Sequence, residues 1–140
     1  MSRILAIDYG KKRTGIAVTD PSQIIATGLT TVQTHLLMDY LKDYVSREPV
    51  ERIILGWPTQ TNGMASENQQ RVTSFAKKLE VALPNIPIEF YDERYTSVLA
   101  HQAMLDGGLK QKRRRDKALV DEISATIILQ SWMEHQRLGF

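Results

Sequence analysis

Apolar positions along the chain follow two periods. Ile4 to Ile7 form a short continuous run closed by Asp8, and Gly15 to Val18 form another closed by Asp20-Pro21. Runs of this length bounded by turn formers read as strands. The short connection "GKKRT", Gly10 to Thr14, suits an antiparallel hairpin, and "ATGLTTV" after Pro21 is a third candidate strand. From Thr34 the spacing becomes helical: Leu36, Leu37, Tyr40, Leu41, Tyr44 and Val45 make one stripe that ends before Pro49. "RIILG" has the continuous apolar character of a strand buried on both faces. Ser66 with Gln69 three residues on is a capping-box pattern, and Val72, Phe75, Ala76, Leu79 and Leu83 supply the face of a helix over about 66 to 82. "IPIEFYDERYTS" is a strand running into acids, and Thr96 or Ser97 can cap a helix that stops at Gly107-Gly108. A last helix runs from about Asp116 to Gln136. Strands alternating with helices after an initial meander predict an α/β domain with a mixed sheet.

At 140 residues, the expectation is one domain covering 1–140. No apolar run approaches the ~20 residues of a membrane span, and the first residues enter strand-like sequence without the regions of a signal peptide. A cytoplasmic protein without a membrane partner is expected. With no cysteine, thiolate catalysis and Cys-ligated zinc are excluded. His35, His101 and His135 stand too far apart to share a ligand spacing and read as surface or helix-face residues.

The net charge of +2 conceals an asymmetry. "KQKRRRDK", Lys110 to Lys117, holds six basic residues and one acid, and the remainder carries twelve basic against fifteen acidic. One short segment therefore supplies the positive charge, as an electrostatic contact for a polyanion would. A solvated loop is the alternative reading.

Three acids change the picture further. In mixed α/β sheets functional groups gather at the carboxyl ends of strands, where Asp8 and the pair Asp92-Glu93 fall. Asp121 lies early in the last helix on a face shared with Ser124, Ala125 and Ile128. Clustered carboxylates repel one another, so either one keeps its proton or a cation holds them. An oxygen-only set favours Mg²⁺ or Mn²⁺, and two such ions about 4 Å apart support phosphodiester hydrolysis. Each acid also has a plain structural reading. Asp8 can bond the amides of the Gly10 turn, Asp121 can favour the positive end of its helix, and Asp92-Glu93-Arg94 can be a surface ion pair. Alternation along a strand says only that Asp92 and Glu93 face opposite ways.

The same residues carry a family resemblance. "ILAIDYGKKRTGIAVTD" resembles the opening of the YqgF/RuvX family, D-x-G-x-x-R-x-G-x-A-x-x-D, at Asp8, Gly10, Arg13, Gly15, Ala17 and Asp20. "IILGWPTQTNG" is similar to its G-x-P loop at Gly56, Pro58 and Gly63, and "FAKKL" to its next helix. "YDERYTS" resembles its D-E-R-x-[ST]-[ST] element, and "VDEISATIILQSWME" its terminal helix. These stretches, in order, span Ile4 to about Met133. Trp57 stands where a leucine is usual, and Leu119 where a lysine is often found, with Lys117 the candidate to replace that charge.

The resemblance implies an RNase H-like fold, a five-stranded mixed sheet with an antiparallel second strand, flanked by helices. It implies a triad of Asp8, Glu93 and Asp121 binding Mg²⁺ or Mn²⁺, and it is the resemblance that selects Glu93 over Asp92. Family members are described as junction resolvases and as nucleases that mature the 5′ end of precursor 16S rRNA. The expected partner is structured RNA or branched DNA, held by Arg13, Arg94, Lys112, Arg113, Arg114, Arg115 and Lys117. Hydrolysis would release the 3′ oxygen and leave a 5′ phosphate. Processing of precursor 16S rRNA is favoured over junction resolution, because resolvases act as dimers and no dedicated dimer helix is visible; a monomer or weak homodimer is expected. A non-catalytic binding factor and a phosphate-transferring ATPase are the competing classes. The first gains nothing from burying acids near phosphates, and the second needs two such domains. Thr96 and Ser97 read as caps; Tyr91, Tyr95 and Trp57 read as core rather than as base-stacking platforms. Trp132 is assigned to the core or to a subunit contact.

Overall fold

A computed structural model of the chain describes residues 1–58, 64–96 and 117–139, with side chains described for the same residues except 64–66 and 117–121. The first two apolar runs form β1 (Arg3–Asp8) and β2 (Arg13–Thr19), followed by β3 (Ala26–Gln33). A single 3-10 turn (Thr34–Leu36) leads into α1 (Leu37–Arg47), which delivers the chain to β4 (Val50–Trp57). Then come α2 (Met64–Ala82), β5 (Ile88–Asp92), a second 3-10 turn (Glu93–Tyr95) and α3 (Lys117–Leu138).

The strands make one sheet in the order β3-β2-β1-β4-β5. β1 pairs antiparallel with β2, placing Asp8 opposite Gly15, and β2 pairs antiparallel with β3. β1 and β4, and β4 and β5, are parallel. The mixed sheet with an antiparallel second strand is as expected, and Ile53, Ile54 and Leu55 are fully buried on both faces of β4. Side chains alternate along a strand, so each strand feeds two cores. Leu5, Ile7, Ile53 and Leu55 pack beneath α1 and α2 with Leu37, Leu41, Phe75 and Leu79. Ile4, Ala6, Ile54 and Tyr91 pack beneath α3 with Ala125, Ile128 and Leu129.

Some boundaries differ from the sequence reading. α2 begins at Met64, so Ser66 lies inside the first turn rather than capping it, and Gln69 donates its side-chain amide to the Pro58 carbonyl at 2.9 Å. The acids that extend β5 in the sequence split: Asp92 is its last residue, and Glu93 already belongs to the 3-10 turn. Asp92 causes this break by accepting the Arg94 backbone N–H at 2.8 Å, as an N-cap does. The predicted helix ending at Gly107-Gly108 and the basic segment lie outside the described residues. Among the described residues, no helix is long and apolar enough to cross a membrane.

Candidate nuclease site

Asp8 occupies the last position of β1 and shares the face of Ile4 and Ala6, the side covered by α3. Beyond it the chain must reverse within four residues to start β2. Gly10 makes this possible, because a Cβ there would stand 2.1 Å from the Arg13 carbonyl oxygen. Two threonines hold the turn. Thr34 donates its hydroxyl to the Gly10 carbonyl at 2.7 Å, and its Oγ1 lies 2.9 Å from that of the fully buried Thr14. The exposed Lys11, Lys12 and Arg13 ride on this braced reversal.

Glu93 reaches the same place from β5. It shares a side-chain hydrogen bond with Asp8, and burial pushes its carboxyl above the ordinary range. The bond to Asp8 acts in the opposite sense, and the charge on Asp92 adds to the upward push. Two carboxylates in hydrogen-bond contact need a proton or a cation between them. Gly56, at the end of β4, leaves the space that Glu93 fills: a Cβ there would approach Glu93 Oε1 to 3.2 Å and Ile128 Cδ1 to 2.7 Å.

Asp8 and Glu93 open into a cavity of about 380 Å³ that Arg94, Thr96 and Ser124 line on the polar side, with Ile127 and Ile128 as its apolar wall. Arg94 grips Asp92 through Nε and Nη2 at 2.7 to 3.2 Å while its side chain stays 69% exposed. The ion-pair reading of Arg94 is thus observed, and the residue also lines the cavity. Thr96 donates its hydroxyl to the Glu93 carbonyl at 2.6 Å and closes the C-terminal end of the 3-10 turn, while the helix it was expected to start lies outside the described residues.

Asp92 and Glu93 do face apart, one onto Arg94 and the other onto Asp8. Asp121 lies in α3 one turn before Ser124, and its side chain is outside those described. Among the described residues, no three acids or histidines are grouped as a metal site. Arg13 begins β2, two residues before the Gly15 that faces Asp8, and does not line the cavity. Lys112, Arg113, Arg114 and Arg115 lie outside the described residues; Lys117 opens α3.

One sequence reading is narrowed and another needs correction. His135 is the helix-face residue of the two alternatives: it lies on α3 with its Nδ1 2.8 Å from the Tyr91 hydroxyl. Tyr95, expected in the core, is 59% exposed, although Tyr91 is buried as expected and its phenol is pushed up to about 12 by burial. The lining role of Ser124 was legible in its helical spacing from Ile128, but that of Thr96 had no sequence signal beyond capping.

The chain matches the model of RuvX, described as a Holliday junction resolvase, over residues 2–135. A protein of Phocaeicola vulgatus named "Putative pre-16S rRNA nuclease" is 66% identical over 98% of this chain and 99% of its own length. A Bacteroides fragilis protein of the same name is 62% identical over 99% and 100%. Among solved structures, Thermus thermophilus RuvC in complex with a Holliday junction substrate superposes with a TM-score of 0.66 at 14% identity, covering 99% of this chain and 97% of that one. A second T. thermophilus RuvC structure gives 0.52 at 14% identity over 98% and 96%. At such identities the likeness concerns the fold, which is RNase H-like.

Proposed function

The chain belongs to the RuvX family, and from that premise we propose that it is a metal-dependent endonuclease whose substrate is precursor 16S rRNA. The single observation that carries this reading is the contact between Asp8 and Glu93 on a polar cavity at the carboxyl end of the sheet. A fold has no use for two touching carboxyls in a half-buried place, because their mutual repulsion and desolvation both oppose folding.

The residues fit a hard divalent cation. The donors are carboxylate oxygens, and a Glu93 carboxyl that burial pushes up in hydrogen-bond contact with Asp8 marks where a positive charge is wanted. Asp8 and Glu93 would hold Mg²⁺ or Mn²⁺, with Asp121 of α3 as the third ligand. Bound there, one or two such ions would supply water activation and charge neutralisation at the departing 3′ oxygen.

The chain itself contributes position and charge. Gly10 lets the chain turn closely after Asp8, where a Cβ would meet the Arg13 carbonyl oxygen, and Gly56 leaves the room that the Glu93 and Ile128 side chains occupy. Arg94 presents its guanidinium at the rim, where a phosphate oxygen would compete with Asp92 for it. Ile127 and Ile128 exclude water from one wall of the cavity and so strengthen the interaction of phosphate with the polar wall. Arg13, Lys112, Arg113, Arg114, Arg115 and Lys117 are assigned to the flanking phosphates.

Cleavage of end-labelled precursor 16S leader RNA and of a synthetic four-way junction, with Mg²⁺ or Mn²⁺, tests the proposal. Metal-dependent cutting of the leader that leaves a 5′ phosphate is expected. Cutting of the junction alone would reassign the substrate, and binding without cutting would make the protein a binding factor. Neutralising Arg113, Arg114 and Arg115 together should flatten the salt dependence of binding, by a log–log slope change of about 2 to 3. An unchanged slope would remove that segment from the interface.

A further inference from the structure

Beside the carboxylate cavity, a second groove of about 600 Å³ runs along the outer edge of β5, between that strand and the end of α3. Its rings are fixed. The Tyr91 hydroxyl lies 2.8 Å from His135 Nδ1, and the Tyr95 ring stands edge-on to Tyr91 at 5.9 Å and to His135 at 5.5 Å between centroids. Trp132, on the opposite wall, donates its indole N–H to Glu89. Yet Tyr95 and Phe90 remain 59% and 44% exposed. Large aromatic groups held rigid and left open are ready for a flat partner, because little ordering remains to oppose its binding.

We propose that this groove takes an unpaired nucleobase of the substrate strand next to the cleaved bond, stacked on Tyr95. This rests on the nuclease reading above. Continuity identifies the occupant. Glu93, Arg94 and Tyr95 are consecutive residues of one 3-10 turn, so a strand whose phosphate lies at Glu93 and Arg94 brings its neighbouring nucleotide to Tyr95. The exposed Gln136 lines the groove and offers its amide to the edge of a base whose faces meet rings. A paired base keeps its faces within the helical stack, so the groove selects substrates that are single-stranded or splayed beside the cut.

The test uses the full chain carrying Asp8→Asn, so that substrate survives, and a fluorescent RNA oligonucleotide offered unpaired or annealed to its complement. Tighter binding of the unpaired form is expected. Adding Tyr95→Ala should cost that form roughly 5- to 150-fold in affinity and leave the duplex little changed, with Tyr95→Phe retaining the preference. Equal loss for both forms, or no loss, overturns the proposal. So does a Tyr95→Ala effect confined to self-association in sedimentation, which would give the groove to a second copy of the chain. The two readings fail separately: a protein with intact Asp8 that cuts nothing sinks the nuclease, while a Tyr95-dependent preference for unpaired RNA would still support the groove.

Discussion

The two ends of β1 handle acidic side chains in opposite ways. At the amino end the acid is satisfied by the backbone. Asp20 accepts backbone N–H groups from Ser22, Ile24 and Ile25 at 2.7 to 3.1 Å, and these bonds hold its carboxyl below the usual aspartate range. Gln23 sits nearby in the left-handed region at φ 58°, anchored through its side-chain amide to Ser2 and Glu51. At the carboxyl end Glu93 is pushed up instead of down, with another acid for its partner. Both regions are built with comparable care, since the Gly10 turn is as closely braced as the Asp20 turn. One end spends its hydrogen bonds on the aspartate, and the other positions two carboxyls and leaves them facing a cavity. This separates an acid that serves the fold from acids the fold tolerates.

Activity should break the comparison most sharply. Asp8→Asn is expected to lower metal-dependent cleavage by more than about 100-fold, as loss of a ligand exceeds the usual cost of an outer-shell change. Asp20→Asn should leave the rate where it was, and a comparable loss there would mean that the two ends are coupled. Next comes Gly10→Ala, whose Cβ would meet the Arg13 carbonyl oxygen. The turn must then open, at a cost of roughly 1 to 3 kcal/mol in urea unfolding, with loss of cleavage from a protein that still folds.

The smaller effects are in the pH dependence of stability, and their signs are opposite. For Asp20 the folded pKa lies below its ordinary value of 3.8, so its contribution is present above that value and lost as pH falls through the folded pKa. Asp20→Ala should lower the melting temperature at neutral pH and flatten the acid limb of its profile. For Glu93 the folded pKa lies above the ordinary 4.5, so favourable linkage is present below that value and lost as pH rises through the folded pKa. Glu93→Gln should therefore stabilise the metal-free protein at neutral pH while abolishing cleavage. Glu93→Gln that lowers neutral-pH stability would show that the acid pair supports the fold after all.

Much of this arrangement follows from local sequence. Continuous apolar runs marked β1, β2 and β4, because burial on both faces leaves no polar alternation to disguise them, and 3.6-residue stripes marked α1 and α2. Asp8 was conspicuous as a carboxylate ending such a run. Other features are not local. Ser66 carries a capping signature, but the helix extends past it to Met64, and Gln69 donates to the Pro58 carbonyl rather than reaching back to its own cap. Asp92 and Glu93 are equivalent by residue type. What assigns them is the break of β5 at Asp92, where the Arg94 amide is captured and Glu93 is turned toward β1. Tyr91 and Tyr95 likewise read alike, yet one is buried beneath α3 and the other stands open beside the site. The sequence alone therefore determined the elements, the reversal at Gly10 and the acids available, since propensity, periodicity and turn sterics act over a few residues. Only the tertiary structure decided which acid meets Asp8 and which rings stay exposed, because burial and proximity depend on strand order and helix packing across the whole chain.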